Sequence, residues 1–162
     1  MICIAWFISD NHFNHKNIIK YCSRPFENIK EMDEYMIKQW NSVVNEGDLI
    51  YHLGDFALGL STEEYIELVN NLHGQIILIR GNHDRKGKTF LKRVGFIEVQ
   101  KKLIIGHYIL SHRPQDESQI PEGFTNIHGH IHNYKYKENT DENKYINVSV
   151  EMNDYKPIWI DI

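Results

Sequence analysis

Residues 48–80 read DLIYHLGDFALGLSTEEYIELVNNLHGQIILIR. Residues 48–53 and 75–80 are apolar runs of strand length. Between them Ser61 and Glu64 have the spacing of a capping box, and Tyr65, Leu68, Val69 and Leu72 follow at helical period. Gly74 is the expected helix stop. Strand, amphipathic helix and strand in this order form the unit that pairs two strands in parallel through a helical crossover.

Working outward, the pattern repeats upstream. Residues 2–8 form an apolar run that reads as a buried strand; it is too short for a secretory h-region with a cleavage site and has no basic n-region. Asn28 and Glu31 make a second capping-box spacing ahead of Met32, Met36, Trp40 and Val44, an apolar helical stripe. Downstream of Gly95 the texture turns strand-rich. Residues 96–105 and 108–111 read as two strands joined by Gly106-His107, with glycine first as a type II′ hairpin turn prefers. Further strands are expected at 124–128, 145–150 and 158–160. The expectation is one α/β domain over 1–162, with two mixed sheets packed face to face and helices outside.

The composition narrows the function classes. A formal net charge of -4 gives no footprint for gripping long nucleic acid or an anionic membrane, so a small substrate is favoured. No apolar run approaches the roughly 20 residues of a membrane span. The two cysteines, Cys3 and Cys22, have the spacing of neither a disulfide framework nor a thiolate metal site. They read as reduced thiols, and the expected setting is cytoplasmic.

The chemically loaded residues fall just after expected strands: Asp10-Asn11-His12, Gly54-Asp55, Gly81-Asn82-His83-Asp84, Ser111-His112 and Gly129-His130-Ile131-His132. Loops beyond the carboxyl ends of parallel strands form the ligand crevice of α/β sheets, so five pieces of chain can build one site. Carboxylate, imidazole and amide oxygen without thiolate suit manganese, iron, zinc, nickel or cobalt. Closing two adjacent shells takes about seven protein groups if one carboxylate is shared, and seven are available. The i, i+2 spacing of Asp10 with His12, and of His130 with His132, puts both members on one side of an extended segment. Glycines 54, 81 and 129 let the backbone turn tightly there. Each motif alone is weak; the ordered set of five carries the assignment. His52, His73, His107 and His128 read as strand-end, helix-end or turn residues, and His15 either contacts substrate or braces His12.

At these residues the chain resembles the calcineurin-like metallophosphoesterase superfamily over essentially its whole length. The stretch 9–26, SDNHFNHKNIIKYCSRPF, is further similar to small stand-alone bacterial and phage members. The resemblance implies that Asp10, His12 and His132 hold one metal, Asn82, His112 and His130 the other, and that Asp55 bridges them. It implies His83 as the catalytic histidine. It also implies a four-layer α-β-β-α sandwich of two mixed sheets flanked by helices, in line with the pattern. One departure matters. The protein serine/threonine phosphatase branch follows its Gly-Asp with a second aspartate and an arginine, whereas residues 54–59 here are GDFALG.

The expected activity is hydrolysis of a phosphoester, a phosphodiester in preference to a monoester. Two divalent ions, manganese first among them, would sit about 3.5 to 4 Å apart and acidify a bridging water for in-line attack. His83 protonates the leaving oxygen, and His15, Arg24, Arg113 and Lys16 are candidate phosphate grips. The substrate is a small phosphoester or a nucleotide. Two further readings stand beside this one: a phosphomonoesterase or a nuclease on short oligonucleotides, and a non-catalytic metal-binding scaffold.

Overall fold

The computed structural model describes residues 4–137 and 140–162, so Cys3 and the expected start of the first strand lie outside the described residues. In chain order the elements are β1 Ile4–Ile8, α1 Lys16–Tyr21, α2 Ile29–Asn41, β2 Leu49–His52, α3 Thr62–Asn71, β3 Gln75–Ile79, α4 Lys88–Arg93, β4 Glu98–Gln100, β5 Lys102–Ile105, β6 Tyr108–Ser111, β7 Thr125–His128, β8 Tyr145–Asn147 and β9 Ile158–Asp161. They make two mixed sheets, β4-β3-β2-β1-β9 and β5-β6-β7-β8. In the first, β1 to β4 pair in parallel and β9 runs antiparallel to β1. In the second, β6, β7 and β8 are parallel and β5 is antiparallel to β6.

Period-two alternation explains why the central strands read as unbroken apolar runs. Ala5, Phe7, Tyr51, Leu53 and Ile79 face Leu110, Ile127 and Val148 of the second sheet's side, forming the core between sheets. Ile8, Ile50, Ile76 and Leu78 face the other way, onto Met32, Met36 and Trp40 of α2 and Tyr65 and Val69 of α3. Burying each such side chain fully stabilises the fold by roughly 1.5 to 3 kcal/mol. All four α-helices bury their apolar residues in this second core, while a one-turn 3-10 helix, Glu142–Lys144, lies against β7. Among the described residues no helix is long and apolar enough to cross a membrane.

The local expectations need four corrections. The run 96–105 is two strands: β4 joins β3 in the first sheet and β5 joins β6 in the second, so the chain changes sheets at Lys101. Val99 packs in the helix-side core and Leu103 and Ile105 beside the inter-sheet core, so one apolar run serves two sheets without a turn signal. Helices α1 and α4 were not expected; each has six residues and no side-chain cap, the signal that revealed the other two. Gly74 lies beyond the end of α3, and its φ of +93° turns the chain into β3. Of the two expected capping boxes, Ser61 and Glu64 make both bonds. At the other, Asn28 accepts from Glu31 N, but the Glu31 carboxylate accepts from Glu27 N instead.

Asp33 of α2 accepts a hydrogen bond from Asn14 N at 2.9 Å, and its second oxygen is buried without a partner among the described residues. Burial pushes its carboxyl up to about 6, against the lowering effect of the Asn14 bond. A carboxyl raised above its unfolded value stabilises the fold when protonated and loses that contribution as pH rises through the folded value. Asp33→Asn keeps an acceptor for Asn14 and removes the titration. Its unfolding free energy relative to wild type is expected to improve between pH 4 and pH 7, by at most about 3 kcal/mol. A difference that is constant across that range, read from denaturant unfolding, contradicts the account.

Candidate metal centre

The five loaded loops do converge, at the end of β1, β2, β3, β6 and β7. The backbone that brings them together is not extended, as the i, i+2 argument assumed. Asp10, His12, Asp55, His130 and His132 all have positive φ, between 51° and 69°. Such left-handed residues cost of order 1 kcal/mol or more each and persist where the surroundings fix them. Those surroundings are visible. Asp10 N donates to Gly54 O at 3.0 Å, and His12 N donates to Asp55 O at 3.0 Å. A Cβ on Gly81 would strike the Asp55 carboxylate, and one on Gly129 would strike Ser9 Oγ and Asp10 Oδ2. Glycine is needed at these two places for close approach rather than for its φ.

Two groups of donors result. In the first, His12 Nε2 and His132 Nε2 each lie 3.8 Å from Asp10 Oδ1. In the second, His112 Nε2 is 3.0 Å from Asn82 Oδ1, 3.2 Å from His130 Nδ1 and 3.3 Å from Asp55 Oδ2. Asp55 Oδ2 is also 3.5 Å from His12 Nε2, so one oxygen stands between the groups. Two ligand atoms each about 2.1 Å from an ion are at most about 4.2 Å apart, and every separation above is shorter.

The atoms behind these donors fix which nitrogen faces inward. His112 Nδ1 donates to Leu53 O at 2.7 Å, and His132 Nδ1 to Glu151 Oε1 at 2.9 Å, leaving both Nε2 lone pairs for the centre. His12 Nδ1 meets His15 Nδ1 at 3.2 Å, so His15 touches His12 directly. Asp84 accepts from the backbone N–H groups of Asp55, Phe56 and Gly81, tying two loops to one carboxylate. Arg24 is the main correction to the expected grips. Its side chain is fully buried, pairs with Glu151 at 2.8 Å, and donates to Asp10 O at 2.6 Å and Asn11 O at 2.7 Å. It is committed to positioning and unavailable to substrate.

The electrostatics fit a cation. Burial alone would raise the Asp10 carboxyl, yet the His12 contact and the charges of His112 and His132 hold it far below the usual range. Asp55 is likewise held low against burial, by His112. Burial would lower His132, but Cys22, Glu151 and Asp10 push its imidazole up to about 10. Carboxylates this strongly inclined to keep a proton on their neighbours satisfy a divalent ion in its place. Asp10 Oδ1 and His12 Nε2 are buried and have no hydrogen-bond partner among the described residues, as atoms reserved for a metal do. The residues present therefore fit two divalent ions bound by oxygen and nitrogen. A third group, Cys22, His132 and Glu151, draws on the same His132.

His83 donates its backbone N–H to Asp55 Oδ1 at 2.8 Å, and its ring stands 5.3 Å from His12 and 5.9 Å from His15, on the wall of the cavity over the donors. Arg113 and Lys16 are exposed. His52 is buried against Asn11, and that burial pushes its imidazole down to about 3. His73 bonds Val44 O and His128 bonds Gly129 O, while His107 sits in the hairpin turn. None of these four joins a donor group among the described residues. Glu151 was not anticipated, because it sits in a 3-10 turn with no motif around it. Asp84 had a signal, its place directly after His83, but no role follows from spacing alone.

Known proteins resemble this chain in sequence and in fold. The profile of the calcineurin-like phosphoesterase family matches residues 5–161. An uncharacterized protein of Methanocaldococcus jannaschii is 42% identical over 161 residues, covering 97% of this chain and 87% of that one. A crystal structure of a protein of unknown function from Aquifex aeolicus superposes with a TM-score of 0.75 at 33% identity, covering 96% of this chain and 95% of the other. The Pseudomonas putida nuclease MPE shares the fold at a TM-score of 0.55 and 20% identity, over 79% of this chain and 61% of its own. The chain belongs to the calcineurin-like phosphoesterase family, whose members are metal-dependent hydrolases.

Proposed function

We propose that the protein hydrolyses a phosphodiester at a dinuclear centre, with Asp10, His12 and His132 holding one ion, Asn82, His112 and His130 the other, and Asp55 shared. The observation that carries this reading is the position of Asp55 Oδ2, 3.5 Å from His12 Nε2 and 3.3 Å from His112 Nε2. Bound divalent ions supply Lewis acidity, polarising phosphoryl oxygens and acidifying water. Manganese suits a donor set of carboxylate, amide and imidazole. Cys22, in no disulfide among the described residues, suits a reducing, cytoplasmic setting.

The chain's own residues do the remaining work. His15 and Glu151 orient His12 and His132 by their second nitrogens, and Asp84 fixes the loops of Asp55 and Asn82. His83, on the cavity wall, gives a proton to the leaving oxygen. The scaffold reading is disfavoured because a fold recruited for binding alone has no use for seven converging donors with oriented tautomers.

A monoester dianion carries one more negative charge than a diester and loses more when fixed cations are few. Residues 54–59 carry no arginine, Arg24 is bound to Glu151, and Arg80, Lys101 and Arg113 line a second cavity beside Asn82 and His112 rather than the one over the donors. The expected result is a kcat/KM for a bis-aryl phosphate diester above that for the matching monoester, measured with saturating manganese on one preparation. A clear monoester preference overturns the substrate assignment.

His83→Ala is expected to keep its metal content and lose roughly 100-fold in turnover of a diester with a poor leaving group. Turnover equal to wild type on that ester removes His83 from the role of acid.

A further inference from the structure

Two cavities meet at Asn82. One, of about 290 Å³, opens over the donors between His12, Asp55, His83 and His130, and Tyr21 and Tyr134 form part of its wall. Both tyrosines are two-thirds exposed, at 67% and 66%, so their faces are open to a ligand. The other cavity, of about 510 Å³, is lined by Arg80, Lys101 and Arg113 beside Asn82 and His112. Among the described residues no carboxylate lines it. Among the described residues none of the three cations is paired with one, and Arg80 is fixed in place by donating twice to Asp84 O, at 2.9 and 3.2 Å. In a chain of net charge -4, three unpaired cations in one cleft stand out.

Aromatic faces on one side of a phosphoester site and a cationic cleft on the other match one chemistry: a base at one end, a second phosphate at the other, and the scissile phosphate between. We propose that the two cavities form one site for a short single-stranded oligonucleotide, with a base stacked on Tyr21 or Tyr134 and the neighbouring phosphate held by Arg80, Lys101 and Arg113. An unpaired strand is required, because bases in a duplex offer no free face. Three cations in one cleft grip one or two phosphates, which agrees with a chain too acidic to track a long polyanion. In the reaction, water adds to phosphorus and the bond from phosphorus to the leaving sugar oxygen breaks. That oxygen takes a proton, the water's other proton goes to solvent, and the products are one phosphomonoester end and one hydroxyl end.

The inference rests on the diesterase reading, and the test separates the two. Thymidine dinucleotide is compared with its 5′-phosphorylated and 3′-phosphorylated forms, alongside a bis-aryl phosphate diester. One of the end-phosphorylated forms is expected to exceed the bare dinucleotide about tenfold or more in kcat/KM, and that advantage is expected to shrink in Lys101→Ala. Tyr134→Ala and Tyr21→Ala together are expected to lower kcat/KM for the dinucleotide about tenfold relative to the bis-aryl diester. An end phosphate without effect, an advantage that survives both Lys101→Ala and Arg113→Ala, or a dinucleotide-to-aryl ratio unmoved by the tyrosine changes overturns the proposal. Loss of activity on every ester strikes the diesterase reading instead. Calorimetric binding of the same dinucleotides to wild type and Lys101→Ala then decides the site without turnover: the same phosphate-dependent difference supports it, and its absence overturns it.

Discussion

The Asp10 carboxylate is buried completely where the two sheets meet, and its two oxygens have opposite surroundings. Oδ2 accepts from His130 N at 2.8 Å and Ser149 Oγ at 3.1 Å, which fastens β1 to the loop after β7 and the segment after β8. Next to it, Ser9 N donates to Val148 O and Val150 N donates to Ser9 O, so the sheets join through backbone at this point. Oδ1 has no hydrogen-bond partner among the described residues and faces His12 and His132. A charge taken out of water at this depth costs several kcal/mol unless it is compensated. Oδ2 is compensated by hydrogen bonds of the fold, whereas Oδ1, beside the two histidines, is left open to a cation.

That division explains the layer behind the donors. Arg24 is a buried guanidinium, which is costly unless each of its groups is matched, and here it holds the Asp10 and Asn11 carbonyls and the Glu151 carboxylate. Glu151 in turn orients His132. Asp10, Arg24, Glu151 and His132 therefore form a chain of contacts that returns to the same donor group, built from residues 10, 24, 151 and 132. The left-handed φ values at five donors are held by such contacts rather than by local preference, as expected where a site stores strain.

The parts of this arrangement that were legible in the sequence are those with a local signature. Capping-box spacings at Asn28 and Ser61 announced α2 and α3, though only the second closes both bonds, and apolar runs two faces deep announced β1, β2 and β3. Asp10, His12, Asp55, Asn82, His112, His130 and His132 stood out because each follows a strand, and they lie together in space. What stayed hidden depends on contacts between distant residues. Arg24 read as a candidate phosphate grip because nothing near it in sequence says that Glu151 will cover it, 127 residues away. The split of 96–105 into strands of different sheets left no turn residue to read, since Val99 and Leu103 are equally apolar. The conformation of the donor loops was misjudged for the same reason: spacing alone does not reveal a left-handed residue held by a distant carbonyl.

Anomalous diffraction from crystals grown with manganese tests the central claim most directly, because it locates ions without reference to activity. The account predicts two peaks, one among Asp10, His12 and His132 and one among Asn82, His112 and His130, each within bonding distance of Asp55. A single peak, or a peak beside Cys22 and Glu151 in place of the first, contradicts it.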